Sequence, residues 1–569
     1  MPDQTALLRE LRGTVGRRHV LTGPAATLRY RRGYRHGEGG AIAVVRPGTL
    51  VELWRVAQAA VRTGVAIIVQ AANTGLTGGS TPDGDYPGGV LIVSTLRLAR
   101  IHLLDGGRQA LCLPGTTLSQ LERALKPLGR EPHSVIGSSC LGASVLGGVC
   151  NNSGGALVRR GPAYTELALF ARLAADGTLQ LVNHLGIALG ETPEEMLARL
   201  ERGRFDAGDV AHDPQRRASD QRYSEHVRDI DAETPARFNA DPRCLFEASG
   251  SAGRVIVFAA RLDTFPRDAE TTTFYVGTND PAEFAALRRR LLGGKAALPI
   301  AAEYMHRDAF DVAAAYGKDS FLAVRHLGTD RLPALFALKA RIDRLARRCG
   351  GRRGEGFADR LMQWAARLAP RHLPARMLAW RDRYEHHLLL KMPGGGGDAR
   401  ACLDALFAAS EGGYFECTPA EADAAFLHRF ACAGAAIRYR LVHADAIEDL
   451  VALDFALPRN EQDWTETLPA ALEKDIPVRL RYGHFFCHVF HHDYLVRRGA
   501  DAEAVKAGLC SMLDARRARY PAEHNVGHLY PAAAELAAFY RDLDPCNRLN
   551  PGIGKTSKAP FWGRDVHAR

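Results

Sequence analysis

The pattern of apolar and polar positions predicts alternating strands and helices over the first part of the chain. Buried strands are predicted by short apolar runs at residues 41–46, 66–70, 90–94, 110–113 and 255–262. Apolar residues at helical spacing predict helices over residues 49–63 and 118–128. The alternation stops near Phe265-Pro266, where we place the end of a first domain.

Two features of this first domain are less regular. The apolar runs 167–174 and 179–182 flank Asp176-Gly177, a pair that favours a tight hairpin turn. Residues 200–235 are polar and charged, and we expect them to form an exposed excursion. Beyond residue 266, a second α+β unit is predicted by apolar runs at residues 274–277, 283–292, 322–324 and 387–391.

A basic segment interrupts this second unit and accounts for the net charge of the chain. The formal net charge is +10, and residues 325–383 hold fifteen lysines and arginines against five acidic residues. Apolar residues, among them Trp364 and Trp380, are interleaved with the arginines, which is typical of a helical anchor on an anionic membrane surface. Nucleic-acid binding and a solvated basic face are the alternatives, but no nucleic-acid module accompanies the charge.

Cysteines and apolar stretches limit the compartment. The eleven cysteines are scattered and include no Cys-x-x-Cys pair, which predicts reduced thiols in a cytosolic setting. The first ten residues lack the apolar core of a secretory signal. Residues 134–158 carry no charge, but their many glycines and serines argue against a membrane span.

Glycine-rich loops carry the strongest functional signal. Two loops, at residues 71–80 and 134–158, each follow apolar residues. Both hold no Lys or Arg and are rich in Gly, Ser, Thr and Asn. Such loops let backbone N–H groups converge on phosphate oxygens. A third glycine turn, at residues 246–253, precedes a predicted strand. Ordinary turns are the alternative for either loop alone, but together they favour one large phosphate-bearing ligand.

These motifs resemble the flavoproteins of the vanillyl-alcohol oxidase type, whose FAD-binding domain is called PCMH-type. The matching motifs are Asn73-Thr74-Gly75-Leu76-Thr77-Gly78-Gly79-Ser80, Glu131-Pro132-His133-Ser134-Val135-Ile136-Gly137, Asn151-Asn152-Ser153-Gly154-Gly155, Asp544-Pro545 and Asn550-Pro551-Gly552. Within that family, residues 7–558 resemble the respiratory D-lactate dehydrogenases of Gram-negative bacteria, which use quinone. Specific matches are Tyr482-Gly483-His484-Phe485-Phe486, residues 520–530 and residues 550–558.

The resemblance implies an α+β fold with a two-subdomain PCMH-type FAD-binding domain and an α+β cap domain. The cap would be interrupted by the basic helical segment, which would bind the membrane. The implied division is 1–265 for the FAD domain, 266–324 and 384–520 for the cap, 325–383 for the membrane-binding segment, and 521–569 for a segment returning to the FAD domain.

The resemblance also assigns the cofactor contacts. FAD would be bound by Ala71, Ala72, Asn73, Thr74, Gly75, Gly79, Ser80, Gly137, Ser144, Gly154 and Val257. No residue matches a covalent flavin link, so we expect non-covalent FAD. At Gly75 and Gly154 we expect close phosphate approach and positive φ.

Oxidation of a 2-hydroxy acid requires a base for the hydroxyl proton, a cation for the carboxylate and a hydride acceptor. His524 is the predicted base, because Glu523-His524-Asn525-Val526-Gly527 resembles the Glu-His-Gly-Ile-Gly stretch of related dehydrogenases, in which the His faces the flavin. Asn525 in place of Gly is the departure from that pattern. A surface or core histidine is the alternative.

His484, His491 and Glu523 stand where metal-dependent relatives bind a divalent metal. Here the Gly-Asp-Gly-Asn turn of those relatives is replaced by aromatics that favour an extended strand. Residues seven apart on a regular strand face opposite sides, so His484 and His491 would share a metal only across a bulge or turn. We expect no metal, with His484 orienting the substrate or the base.

Arg429 is the predicted partner of the substrate carboxylate, with Arg438 as the second choice. The residues from Arg429 to Pro458 resemble an Arg…Asp-x-x-x-Pro stretch that places a substrate arginine in relatives, and a guanidinium suits a carboxylate. Ala452 replaces a Lys of those relatives, which favours a small substrate such as lactate over a dicarboxylate. A structural ion pair is the alternative.

The leading functional hypothesis is a peripheral membrane flavoenzyme that oxidises D-lactate to pyruvate and passes electrons to a membrane quinone. Its implied location is the cytoplasmic face of the bacterial inner membrane, on anionic lipid through residues 325–383, with no nucleic-acid partner. A soluble metal-assisted dehydrogenase of D-2-hydroxyglutarate or glycolate is one alternative. A flavin-binding membrane scaffold without turnover is the other.

Overall fold

The structure is a computed structural model that describes residues 4–133, 142–211, 215–327, 341–342, 346, 356–368 and 370–563. Gly137 and much of the basic segment lie outside the described residues. The strands are β1 (Val20–Leu21), β2 (Ala43–Val45), β3 (Ala66–Gln70), β4 (Val90–Ser94), β5 (Ile101–Leu104), β6 (Gln109–Cys112), β7 (Arg130–Pro132), β8 (Ala168–Leu173), β9 (Leu179–Asn183), β10 (Ile256–Pro266), β11 (Thr271–Thr278), β12 (Ala301–His306), β13 (His386–Pro393), β14 (Gly413–Glu416), β15 (Ile447–Ala456), β16 (Val478–His484) and β17 (Val489–Arg497). The α-helices are α1 (Gln4–Val15), α2 (Pro24–Arg31), α3 (Leu50–Thr63), α4 (Leu118–Leu125), α5 (Val145–Cys150), α6 (Pro193–Arg202), α7 (Tyr223–Arg228), α8 (Pro281–Gly293), α9 (Arg307–Tyr316), α10 (Lys318–Leu327), α11 (Phe357–Leu368), α12 (Ala375–Arg383), α13 (Gly397–Phe407), α14 (Pro419–Val442), α15 (Ala470–Glu473), α16 (Ala502–Ala515) and α17 (Ala534–Leu543).

The N-terminal sheet has the order β1-β2-β4-β3, and its inner strands are parallel. Parallel neighbours require a crossover, which α3 provides between β2 and β3. Thr49 caps α3 by accepting the amide of Glu52, and Gly64 ends the helix at φ +69°. These elements confirm the strands and the helix predicted for residues 41–94. The loop 71–80 therefore begins at the carboxyl end of β3.

The second sheet of the FAD domain is antiparallel, with the order β5-β6-β10-β8-β9 and β7 also paired to β10. The predicted hairpin is confirmed: β8 and β9 pair from Leu169 opposite Asn183 to Leu173 opposite Leu179. The expectation of an exposed excursion at 200–235 is wrong in part. Helix α7 buries Tyr223 and Val227 completely, because both pack into the apolar core beneath the cap.

The cap is one antiparallel sheet with the order β14-β11-β13-β12-β16-β17-β15. Alternate residues point to opposite faces, so that Phe274 and Val276 enter one core while Tyr275 enters the other. Helices α9 and α14 cover the second face. The apolar run 322–324, part of the predicted α+β unit, lies within α10.

The C-terminal residues return to the FAD domain. Ile67 of β3 donates its amide to the carbonyl of Arg548 at 2.8 Å, and Asn550 donates to the carbonyl of Ile67 at 2.8 Å. Leu549 is fully buried beside the N-terminal sheet. Residues 521–530 thus connect the cap to the FAD domain and lie at their junction.

The described end of the basic segment differs from the prediction. Helix α12 packs on the cap, where Met377 is fully buried and the Trp380 ring lies 4.8 Å from that of Phe415. Trp380 is therefore partly buried against the cap rather than displayed on the surface. No helix in the described part of the chain combines the length and apolarity that a membrane span needs.

Candidate functional site

We call the first glycine loop, residues 71–80, the FAD loop. It has the positive-φ backbone typical of a phosphate-binding loop, but not at Gly75, where it was predicted. Positive φ occurs at Asn73 (+55°) and Gly78 (+75°), and not at Gly75. Ser80 donates to Oδ1 of Asn73 at 3.0 Å, and the side-chain Nδ2 of Asn73 donates to the carbonyl of Arg32 at 2.9 Å. These bonds hold a conformation that L-residues adopt rarely.

The same loop offers donors for phosphate. Among the described residues, the backbone amides of Asn73, Thr74 and Gly75 have no hydrogen-bond acceptor. A Cβ added at Gly75 would meet no protein atom within 4 Å. Backbone amides without an acceptor, in a loop that itself holds no Lys or Arg, suit a pyrophosphate bound by backbone dipoles. The residues present therefore fit the predicted FAD site.

Three other predicted cofactor residues lie in the FAD domain and remain predictions. Ser144 is buried and caps α5 by accepting the amide of Gly147 at 3.0 Å. Val257 is buried at the start of β10. Gly154 has no positive φ, and a Cβ there would lie 2.4 Å from the Glu523 carboxylate. The expected reason for this glycine is thus corrected: it makes room for Glu523.

The segment that holds the predicted base packs directly on the glycine loop. Thr77 donates to the carbonyl of Asn525 at 2.8 Å, and His528 donates its amide to the carbonyl of Thr77 at 3.0 Å. The buried Asn525 side chain accepts the amide of Gly527 at 2.8 Å. Asn525, the departure from the related motif, therefore forms a turn that keeps His524 next to the FAD loop.

His484 and His491 lie on the same side of a hairpin, which overturns the expectation of a straight strand. The chain turns at Phe485–Cys487, His488 adopts φ +51°, and β17 returns antiparallel to β16. His484 Nε2 lies 3.2 Å and His491 Nε2 lies 3.6 Å from the same oxygen, Oε2 of Glu523.

We call the group Glu303, Asp454, His484, His491, Glu523 and His524, with Arg237 and Arg429, the junction cluster. Glu303 accepts from His484 Nδ1 at 2.5 Å and lies 3.1 Å from the Arg429 guanidinium. Glu523 accepts from Arg237 at 2.8 Å. Asp454 lies 3.2 Å from His491 Nδ1 and accepts the amide of Glu523 at 2.7 Å. Each buried carboxylate is thus matched by a cation or by hydrogen-bond donors.

The pKa values of His484 and His524 shift in opposite directions, which gives these two histidines different roles. Burial lowers the pKa of His484, but the charges of Glu303 and Glu523 outweigh burial and raise it to about 9. His484 is therefore an imidazolium at neutral pH. Burial also lowers the pKa of His524, and the charge of Asp454 opposes it only in part, so the pKa stays below its ordinary value. His524 is therefore neutral and can accept a proton.

The two arginines predicted for the substrate carboxylate are both in ion pairs. Arg429 is buried, pairs with Glu303, donates to the carbonyl of Tyr304 at 3.2 Å and stacks on the Tyr482 ring at 4.5 Å. Arg438 pairs with Asp319 and with Asp359, 3.3 Å away, on another face of α14. Arg438 is therefore paired outside the junction cluster, whereas Arg429 lies in the cluster with its charge already compensated.

Two family models match separate parts of the chain, and individual proteins match nearly its whole length. Residues 41–182 match the family described as FAD binding domain, and residues 273–562 match D-lactate dehydrogenase, membrane binding. A quinone-dependent D-lactate dehydrogenase of Escherichia coli (strain K12) is 57% identical over 98% of this chain and 98% of its own. Proteins of that name from Haemophilus influenzae and Corynebacterium glutamicum are 52% and 45% identical, over 98% and 96% of this chain and 99% and 96% of their own.

This chain belongs to the quinone-dependent D-lactate dehydrogenase family. It is an FAD-binding oxidoreductase and a peripheral membrane flavoenzyme, as the two family matches and the relatives establish. The PCMH-type fold is confirmed by solved structures of low sequence identity. p-Cresol methylhydroxylase with substrate bound has a TM-score of 0.56 at 12% identity over 97% of both chains. A 4-ethylphenol oxidase has a TM-score of 0.55 at 13% identity over 97% of this chain and 98% of its own.

Glu303 and Arg237 are members of the junction cluster that sequence reasoning missed. Glu303 stands in the otherwise uncharged strand Ala301–His306, where a buried acid needs a partner. A single acidic residue in an apolar strand was therefore a sequence signal for a buried, paired carboxylate. Arg237 lies just beyond the polar stretch 200–235, and no local pattern signalled its burial against Glu523.

The membrane-binding part of this family member has one described element with an exposed apolar face. Phe357, Leu361, Trp364 and Leu368 of α11 are spaced along one side of the helix and are 45%, 47%, 61% and 72% exposed. We call these four residues the apolar stripe. A solvent-exposed apolar patch next to basic residues is typical of an interfacial helix.

Proposed function

We propose that this chain oxidises D-lactate to pyruvate on non-covalently bound FAD and passes the electrons to a membrane quinone. The observation that carries the proposal is the junction cluster, which places a neutral histidine beside the FAD loop and between buried carboxylates. The names of the relatives support the substrate and the acceptor.

The residues of the cluster divide the work. When bound, FAD supplies the hydride acceptor. His524 accepts the proton of the substrate hydroxyl, and Asp454, with an oxygen 3.7 Å from His524 Nε2, stabilises the imidazolium that results. Asp454 also fixes the backbone of Glu523 and thereby the position of the base. His484 positions Glu523, because its imidazolium bridges Glu303 and Glu523.

The proposal is tested by anaerobic reduction of the bound flavin. D-Lactate added without oxygen should bleach the visible flavin band and release pyruvate, whereas L-lactate and D-2-hydroxyglutarate should bleach it far more slowly. Faster bleaching by D-2-hydroxyglutarate or glycolate would favour the metal-assisted alternative. No bleaching by any of these acids would favour the scaffold without turnover.

Non-covalent attachment has its own test. Denaturation with acid should release all of the flavin into the supernatant, since no residue of the loops is proposed to form a bond to it. Flavin that stays with the precipitated chain would contradict this part of the proposal.

The membrane part of the proposal concerns lipid class and side. Residues 325–383 would bind anionic lipid through their arginines and the apolar stripe, on the cytoplasmic face of the bacterial inner membrane. The charge of the segment supports anionic lipid, because basic residues near such a surface contribute about 1 kcal/mol each. Sedimentation with vesicles of anionic and of zwitterionic lipid tests the lipid class, and protease access in right-side-out membrane vesicles tests the side.

A divalent metal in the cluster is a second candidate that the hairpin favours. Nitrogen atoms of His484 and His491 and an oxygen of Glu523 lie within 4.8 Å of one another. Glu303 and Asp454 contact the other ring nitrogen of each histidine, an arrangement that orients metal ligands in proteins. Elemental analysis of the purified protein, before and after dialysis with a chelator, decides between a metal and the His484 imidazolium.

A further inference from the structure

The cations of the junction cluster are all bound to carboxylates of the protein. Arg237 pairs with Glu523, Arg429 pairs with Glu303, and His484 contacts both acids. A substrate carboxylate that entered this site would compete with a buried carboxylate for any of them. Breaking such a buried pair costs several kcal/mol. The substrate therefore needs a cation from outside the cluster.

Arg35 lies on a loop that packs against the FAD loop. The turn is closed by the amide of Gly33, which donates to the carbonyl of Gly37 at 2.8 Å. His36 lies so close to Gly78 that a Cβ at Gly78 would be 2.7 Å from its carbonyl oxygen. The carbonyl of Arg32 accepts from Asn73. The position of Arg35 is thus set by residues 73–78 of the FAD loop.

The base is held against the same part of the FAD loop. Residues 525–528 bond to Thr77, and a Cβ at Gly79 would lie 3.7 Å from the Asn525 side chain. His524 and Arg35 are therefore each one residue from a direct contact with residues 77–79. Their electrostatic coupling agrees with this placement: burial chiefly lowers the pKa of His524, and the charge of Arg35 acts in the same direction. Burial raises the pKa of Asp493, and Arg35 is the first effect that opposes it.

Arg35 is also available. Its side chain is exposed, and among the described residues it forms no hydrogen bond or ion pair. Its neighbour Arg32 lies 3.9 Å from Glu38. A guanidinium presents a planar pair of donors that matches a carboxylate, so a free one beside the base suits a 2-hydroxy acid.

We propose that Arg35 binds the substrate carboxylate and sets the preference for a 2-hydroxy acid, whereas Arg429 positions Glu303. The inference rests on the proposed oxidation of a 2-hydroxy acid. It replaces Arg429, the residue that sequence alone favours, with an arginine from the loop that contains residues 33–37. The substrate would then lie between this loop and His524.

The test compares D-lactate with its uncharged analogue D-lactamide in anaerobic flavin reduction. R35M should lower kcat/KM for D-lactate about 10- to 100-fold, the range expected for lost hydrogen bonds to a charged group. The rate with D-lactamide should stay within about twofold of the wild type, because the amide carries no charge to lose. R35K should recover part of the D-lactate rate, and R32M is the matched control and should behave as the wild type.

Three results would overturn the inference. The first is a wild-type ratio of D-lactate to D-lactamide rates in R35M. The second is loss of that ratio in R429M while R35M keeps it. The third is purification of R35M without flavin. The last result would assign Arg35 to the cofactor. Failure of the proposed function can be told apart from failure of this inference, because D-lactate would then not reduce the flavin of the wild-type protein. In that case the acid that does reduce the flavin, and its amide, take the places of D-lactate and D-lactamide in the same comparison.

Discussion

The junction cluster and the basic segment use arginine in opposite ways. In the cluster, Arg237 and Arg429 are buried and each is bonded to a carboxylate, so their charges position other groups. The segment 325–383 contains fifteen basic and five acidic residues, and its helix α11 exposes the apolar stripe. Buried pairs are screened little by salt, whereas exposed charges are screened over about 8 Å at physiological ionic strength. The two regions should therefore respond differently to salt and to substitution. Loss of one function, catalysis or membrane binding, should leave the other intact.

The largest effect should follow from reversing the charge of the segment. Six substitutions to Glu, at Arg341, Arg344, Arg347, Arg348, Arg352 and Arg353, should weaken binding to anionic vesicles by about four orders of magnitude or more, at about 1 kcal/mol per basic residue. Flavin reduction by D-lactate should survive and quinone-linked turnover should fail. The matched control replaces the same six arginines with lysine. Undiminished vesicle binding by the reversed protein would place the anchor elsewhere.

The next largest effect concerns the base. H524A should lower the rate of flavin reduction about 10²- to 10⁴-fold, because general-base removal costs that much, with FAD and vesicle binding retained. Stopped-flow reduction under anaerobic conditions measures the rate, and added salt should not restore it. H326A, which removes an exposed histidine of α10, is the control. Unchanged reduction in H524A would remove this residue from the mechanism.

A smaller effect is expected at the apolar stripe. W364A and L368A should each weaken vesicle binding about tenfold, since partial burial of a large apolar side chain contributes a little over 1 kcal/mol. Unlike the charge contribution, this loss should persist at high salt. L96A removes another exposed leucine, 45% exposed and in the FAD domain, and should have no effect. Equal losses in L96A and L368A would show that the stripe is ordinary surface.

The smallest effect is a shift in pH dependence. Burial holds the pKa of His524 below 6.5, so the base is unprotonated at neutral pH, and flavin reduction should fall only below pH 6.5. Because the charge of Asp454 raises this pKa, D454N should move the acid limb to still lower pH while lowering the rate. The pH profile of anaerobic reduction measures both. An acid limb above pH 7 would contradict the assignment.

The sequence determined the FAD-binding domain and the family. Strands such as Ala66–Gln70 and Val90–Ser94 are short, apolar and bounded by turn residues, so local pattern and final structure agree. His524 and loop 71–80 were found because their motifs are continuous in sequence. The excess charge of residues 325–383 was likewise readable, because it needs no tertiary contact to be seen.

Only the tertiary structure decided which of these residues meet. The turn at His488 brings His484 and His491 together, although their spacing on a straight strand would separate them. Pairing with Glu303 compensates the charge of Arg429, and packing on Phe415 partly buries Trp380. Arg35 and His524 lie 489 positions apart, yet their neighbours His36 and Asn525 both pack on residues 77–79. Charge pairing and burial depend on partners distant in sequence, and for that reason the local pattern could not reveal them.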